Sequence, residues 1–212
     1  MTHQEILDKL SWRYATKKYD VSKKLSKEEL DSLLSAVQLS PSSYGIQPYK
    51  VLVVTNPEVR EKLKAVGYNQ SQITDASHLF VFAVYDNFDA SHIDEYAHNI
   101  AETRGLKVED IDGFVTLMKS VVNSRSEAEL KVWNSKQAYI ALGVLLETAA
   151  LLGLDASPME GFDAAKFDEI LNLKEQNLTS VVIAGVGHRS SEDEVQHYKK
   201  VRKAKENLFI EI

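Results

Sequence analysis

Apolar positions along the chain fall into two periods, and each marks a different kind of element. Ile6, Leu7 and Leu10 follow helical spacing near the start. Ser26 followed by Glu29 reads as a capping box opening an amphipathic helix through Leu30, Leu33, Leu34 and Val37, which must stop before Pro41. Residues 50–55 (KVLVVT) form a short β-branched run, and Asn56-Pro57 then turns the chain into a helix over 58–66. Residues 78–85 (HLFVFAVY) and 179–186 (TSVVIAGV) are near-continuous apolar runs of the kind that helices cover on both faces. Residues 207–212 (NLFIEI) alternate as a half-buried or edge strand does. Between the second and third of these runs, residues 92–152 are periodic and charged and predict several helices. The last of them is apolar nearly all round, with Trp133, Gln137, Ile140, Ala141, Val144, Leu145, Thr148 and Leu152 on one stripe and Ala138, Leu142, Leu146 and Ala149 opposite. Such a helix needs cover on several sides, from a core or from a subunit interface. The order of elements predicts an α+β sandwich: a mixed sheet flanked by helices.

Composition narrows this picture. The 212 residues include only four prolines and nine glycines, with no stretch resembling a linker, so one domain over 1–212 is expected. A net charge of -6 without a basic run gives no support to nucleic-acid binding. The absence of cysteine excludes disulfides, thiolate metal sites and cysteine nucleophiles. Glu5 and Asp8 interrupt the N-terminal apolar residues, unlike a signal or transit peptide, and the apolar run 138–154 is broken by Glu147 and Thr148. A cytoplasmic protein without a membrane span is the expectation.

None of the common signatures is present: no G-x-G-x-x-G, P-loop, H-E-x-x-H or G-x-S-x-G. Among six histidines only His92 and His98 are close, at a spacing that puts them on different sides of a helix, so no metal site is expected. Two basic pairs remain, Arg13 with Lys17 and Lys200 with Arg202. Each alone is an ordinary solvated charge pair; together they have the planar forks and point charges that a phosphate clamp would use. Residues 39–49 (LSPSSYGIQPY) place prolines, serines, a glycine and a glutamine between a helix and a buried run, as a connector or as a ligand loop. In 154–162 (LDASPMEGF), Pro158 stiffens a turn and Gly161 lets backbone approach a flat ligand.

Taken in order, RYATKKYD, SPSSYGIQPYKVLVV, GYNQSQITDAS, the apolar helix after Trp133, GLDASPMEGFD and YKKVRK make the whole chain resemble the nitroreductase family of flavoproteins, in the oxygen-insensitive nitroreductase and NAD(P)H:quinone or flavin reductase branch. The resemblance implies a nitroreductase-like α/β sandwich with a mostly antiparallel sheet, a homodimer with C-terminal strand exchange, FMN as cofactor and NAD(P)H as reductant. It implies that Arg13, Tyr14, Lys17, Lys200 and Arg202 surround the FMN phosphate, with Ala15 standing where the family usually has serine. Pro41, Ser42, Ser43 and Gln47 match a loop reaching the partner's flavin. Asn69 matches a contact to the pyrimidine edge, and Gln72 replaces a usual lysine, which lowers the expected reduction potential. Gln137 matches a ribityl contact; Pro158, Met159, Glu160 and Gly161 match the segment against the ring, with the Glu160 or Gly161 backbone N–H at flavin N5. Hydride passes in two half-reactions from NAD(P)H to a nitroaromatic, quinone or similar small planar acceptor, without a catalytic side chain. A non-redox flavin carrier is the alternative, and specialised flavoenzymes of the same superfamily are another. The excursion 92–125 supplies an acceptor wall, or simply helix core, through Phe114, Leu117 and Met118.

Overall fold

The computed structural model describes residues 1–212. Its sheet has four strands in the order β1-β2-β4-β3, all antiparallel: β1 (Tyr49–Val54), β2 (His78–Tyr85), β3 (Asp155–Met159) and β4 (Leu178–Gly187). The sheet is thus less mixed than its sequence predicts, and an isolated bridge from Ala15 to Ala156 is the one parallel pairing. Around it lie α1 (His3–Trp12), α2 (Lys27–Gln38), α3 (Pro57–Val66), α4 (Gln72–Asp75), α5 (Ala90–Arg104), α6 (Asp112–Asn123), α7 (Glu127–Leu151) and α8 (Ala164–Ile170).

Strand alternation sorts the core into two layers. Phe80, Phe82 and Val84 of β2 join Val182, Ala184 and Val186 of β4 under α2 and α7, through Leu33, Val37, Ala138, Ala141, Leu142, Leu145 and Ala149. Leu79 and Val81 point the other way and pack with Ile183, Leu63 of α3 and Phe167 of α8. Both faces of β2 are therefore dry, which is why its sequence is apolar without alternation. A separate cluster of Phe88, Ile93, Ala97, Val115, Met118, Val122 and Leu130 gives the α5–α6 excursion its own core.

The expected capping box is formed: the Ser26 hydroxyl accepts from Glu29 N–H at 3.1 Å and the Glu29 carboxylate from Ser26 N–H at 2.7 Å. Ser26→Ala should cost about 1 kcal/mol, read as a Tm lower by roughly 2–4 °C.

Two expectations are corrected. Residues 154–162, read as a turn, include the strand β3 (Asp155–Met159), because Pro158 lies on an edge strand where its missing N–H breaks no ladder. Residues 207–212 form no strand within the chain; after a short 3-10 turn at Lys205–Asn207 they run exposed, with Leu208, Phe209, Ile210 and Ile212 uncovered. Helix α7 packs on the sheet and against α1 and α2, and one side of it is left open. Val132, Tyr139 and Ile140 lie exposed on its outer side, and Gly143 faces open space.

Candidate functional site

Arg13 is the residue after α1, and the chain from Arg13 onward is extended. Ala15 bridges to Ala156, so this segment lies along the free edge of β3. Tyr14 turns its hydroxyl to Asp193, donating at 2.8 Å, and Asp193 also accepts from the backbone N–H of Lys17 at 2.7 Å and of Lys18 at 3.1 Å. These bonds tie the N-terminal segment to the stretch following β4.

There a cavity of about 440 Å³ opens, and its lining includes Arg13, Tyr14 and Ala15 from one end of the chain and Lys200 and Arg202 from the other. The Arg13 guanidinium makes no hydrogen bond or ion pair within the chain, and neither Lys200 nor Arg202 meets a carboxylate. Lys200 instead donates to the carbonyls of Leu10, at 2.8 Å, and Arg13. Burial, and then the charge of Arg202, hold the Arg13 pKa below its ordinary value; burial, then Arg13 and Arg202, do the same for Lys200. Arg13, Lys200 and Arg202 crowd one cavity that Lys199 also lines, and none of the four has a counter-charge within the chain, an arrangement that becomes favourable when an anion enters. Lys17 stands apart: its backbone serves Asp193, but its exposed side chain does not line this cavity.

Arg189, which sequence reasoning did not single out, lines the same cavity. Its guanidinium lies 4.0 Å from the Trp12 ring centroid and 4.5 Å from that of Tyr14. Nε donates to Asp155 at 2.6 Å and the backbone N–H at 2.8 Å. Nη2 lies 2.6 Å from the same carboxylate but outside hydrogen-bonding geometry, and finds no other acceptor. Since Asp155 and Arg189 are 34 positions apart, no local pattern announces the pair. The one clue was an acidic residue inside the apolar run LLGLDAS.

Beyond Ala156, β3 carries Pro158 and Met159 to Glu160 and Gly161. The amides of Glu160 and Gly161 donate no hydrogen bond within the chain. Tyr139 of α7 donates to the Glu160 carboxylate at 2.5 Å, and that contact adds to burial in raising the tyrosine pKa. Gln70 donates to the Gly161 carbonyl at 2.7 Å, which joins the turn after α3 to this strand end. In that turn Tyr68 and Asn69 are both left-handed, each with φ of 55°, leaving Asn69 exposed with its side-chain amide unengaged. Gln72 opens α4 and is buried, yet its side chain makes no hydrogen bond.

The loop after α2 forms a third group. The Ser43 N–H donates to Gln137 Oε1 at 2.8 Å, while Gln137 Nε2 donates to the Trp133 carbonyl at 3.0 Å. Ser42 Oγ accepts from the Gln47 N–H at 2.9 Å. Gln47 spends its amide on the Gln38 carbonyl at 2.9 Å, closing the loop on the end of α2. Pro41 is exposed and the Ser43 hydroxyl is unengaged. Of the three apolar residues expected in the excursion, Phe114 and Leu117 are exposed, whereas Met118 is fully buried and belongs to the local core. His92 is a helix cap: its Nδ1 accepts from the Asp89 N–H at 3.3 Å.

Comparison with known proteins bears on the family and the fold. The model of the Nitroreductase family matches residues 10–188. A Staphylococcus epidermidis protein whose assigned name is that of an NAD(P)H nitroreductase is 36% identical, over 98% of this chain and 96% of its own. In three dimensions the chain is similar to a nitroreductase structure from Bacillus subtilis, with a TM-score of 0.85, 25% identity and full coverage of both chains. It is similar in fold to one from Exiguobacterium sibiricum solved in complex with FMN, with a TM-score of 0.82, 22% identity, and 100% and 98% of the two chains covered. On the extent of the match and the identity together, this chain belongs to the nitroreductase family.

Proposed function

We propose that this single-domain protein is an FMN-dependent NAD(P)H oxidoreductase that reduces nitroaromatics, quinones or similar planar acceptors as a homodimer. The observation that carries the reading is the uncompensated cluster of Arg13, Lys200 and Arg202, gathered from both ends of the chain around one cavity. Its charge and donor set fit a phosphate dianion. The unengaged Glu160 and Gly161 amides fit the electron-rich edge of a flat ring, and the free amides of Asn69 and Gln72 fit its pyrimidine side.

In this reading Arg13, Lys200 and Arg202 hold the phosphate, with Tyr14 and Ala15 as the wall beside it. Lys17 is the weakest member, since its side chain is outside the cavity. Pro158, Met159, Glu160 and Gly161 form a rigid seat for the ring, because β3 is laddered to β4 through Met159↔Ile183. Pro41, Ser42 and Ser43 approach from the partner, while Gln47 and Gln137 shape that loop rather than contact the cofactor, their amides being used within the chain. When bound, FMN supplies the two-electron chemistry, accepting hydride from NAD(P)H and passing it to the acceptor. The protein orients both reactants in turn and aims fixed backbone donors at the developing charge. A neutral Gln72 leaves negative charge near the pyrimidine edge less stabilised than a lysine does, so a lowered reduction potential is expected.

The homodimer is supported by exposed apolar surface: Val132, Tyr139 and Ile140 on the outside of α7, and the uncovered tail residues Leu208, Phe209 and Ile210. Strand exchange by that tail gives residues 207–212 the partner their alternation calls for.

The test is direct. Protein loaded with FMN and mixed anaerobically with NADPH or NADH should lose its yellow absorbance, and adding a quinone or a nitroaromatic should restore it. Colour that persists with both nicotinamides identifies a flavin carrier instead.

A further inference from the structure

The loop after α2 is held in a shape that its own residues disfavour. Tyr44, Gly45 and Gln47 have φ of 58°, 81° and 50°, and two of these three are not glycine. Side-chain-bearing residues persist there only when their surroundings over-determine them. Ser42 and Gln137 supply two of the restraints. The third comes from the excursion: the Tyr96 hydroxyl of α5 donates to the Tyr44 carbonyl at 2.9 Å. A Cβ on Gly45 would lie 2.5 Å from that same oxygen, so the hydroxyl is seated against a bare Cα.

Held this way, the Tyr44 ring faces Phe114 of α6, with centroids 6.1 Å apart and planes at 59°. Both rings are 38% exposed, and Leu117, on the same helix, is 50% exposed. The excursion already has a packed core in Ile93, Ala97, Val115 and Met118, so it does not need these rings for stability. Exposed aromatic surface beside Ser42 and Ser43, rigidly presented and unused in packing, is a contact surface.

We infer that Tyr44 and Phe114 form an aromatic wall that selects fused two-ring acceptors over single-ring ones, and that Tyr96 is the positioning residue that sets the wall through the Tyr44 carbonyl. The inference deepens the proposed function and rests on it. A single-ring acceptor meets one of the two rings at a time, whereas a fused bicycle spans both and gains offset or edge-to-face contact with each.

The test uses FMN-loaded protein and two quinones, menadione and p-benzoquinone. Tyr96→Phe should raise KM for menadione roughly fivefold, the worth of one hydrogen bond, with kcat and the benzoquinone KM unmoved. Tyr44→Ala should raise the menadione KM by about tenfold, while Tyr44→Phe, which keeps ring and carbonyl, retains the discrimination. Gly45→Ala should harm the menadione KM less on the Tyr96→Phe background than alone, since the hydroxyl it meets is gone. Equal KM shifts for both quinones, no shift with Tyr96→Phe, or additive Gly45→Ala and Tyr96→Phe effects would overturn the wall. Bound-flavin content and bleaching by NADPH involve no acceptor: wild-type protein that fails there overturns the flavoenzyme reading itself, and a wall that fails in protein that bleaches normally overturns only the wall.

Discussion

Arg13→Ala is expected to weaken FMN binding by roughly 10- to 150-fold, and Arg202→Ala by a similar factor, since each removes a charge-assisted contact worth about 1.5–3 kcal/mol. The same change should leave the flavin-free protein no less stable, or slightly more so. Arg13 makes no ion pair, and its positive neighbours Lys200 and Arg202 already oppose its charge. Removing one of these like charges relieves that repulsion when no anion is present and removes attraction when one is. Fluorescence titration of FMN, alongside thermal melts with and without it, separates the two effects. A phosphate held elsewhere would reveal itself as both variants remaining fully yellow after extensive dialysis.

The second large effect is expected at Arg189. Its guanidinium is stacked between Trp12 and Tyr14 and bonded to Asp155, whose side chain is 5% exposed. Arg189→Ala leaves that carboxylate buried and uncompensated, at a cost of about 3–5 kcal/mol. At roughly 2–4 °C per kcal/mol for a chain of this size, Tm should fall by about 6–20 °C. The double variant with Asp155→Ala should recover part of the loss, because the stranded charge goes as well. A fall of under about 2 °C for the single variant would show that the pair is not a structural tie. The tie matters to the site because Asp155 begins β3 and Trp12 and Tyr14 flank Arg13. One guanidinium thus joins the cation cluster to the strand that leads into Glu160 and Gly161.

Much of the fold was legible because local signals and tertiary environment agree. The apolar run 78–85 became β2 with both faces buried, and Ser26 with Glu29 opened α2 as a capping box. Legibility failed where the deciding partner was distant in the chain. Strand β3 contains a proline and begins with an aspartate, so nothing local marks it. It is a strand because β4 offers a free edge and Arg189 neutralises Asp155. Residues 207–212 alternate like a strand, yet without a neighbouring edge their backbone has nothing to pair with inside the chain.

The candidate site divides along the same line. By itself the sequence determined the residue types: two basic pairs, a serine-rich loop, a Pro-Met-Glu-Gly turn, and no cysteine or metal signature, which together mark the chain as a nitroreductase relative. Charge, backbone permissiveness and side-chain chemistry are properties of individual residues, so they can be read in order. Only the tertiary structure decided that Arg13 meets Lys200 and Arg202 while Lys17 does not, that Met118 is core while Phe114 is surface, and that Gln47 and Gln137 are spent on the loop. Those outcomes depend on which groups compete for the same space and the same hydrogen-bond partners, and that competition exists only once the chain has folded.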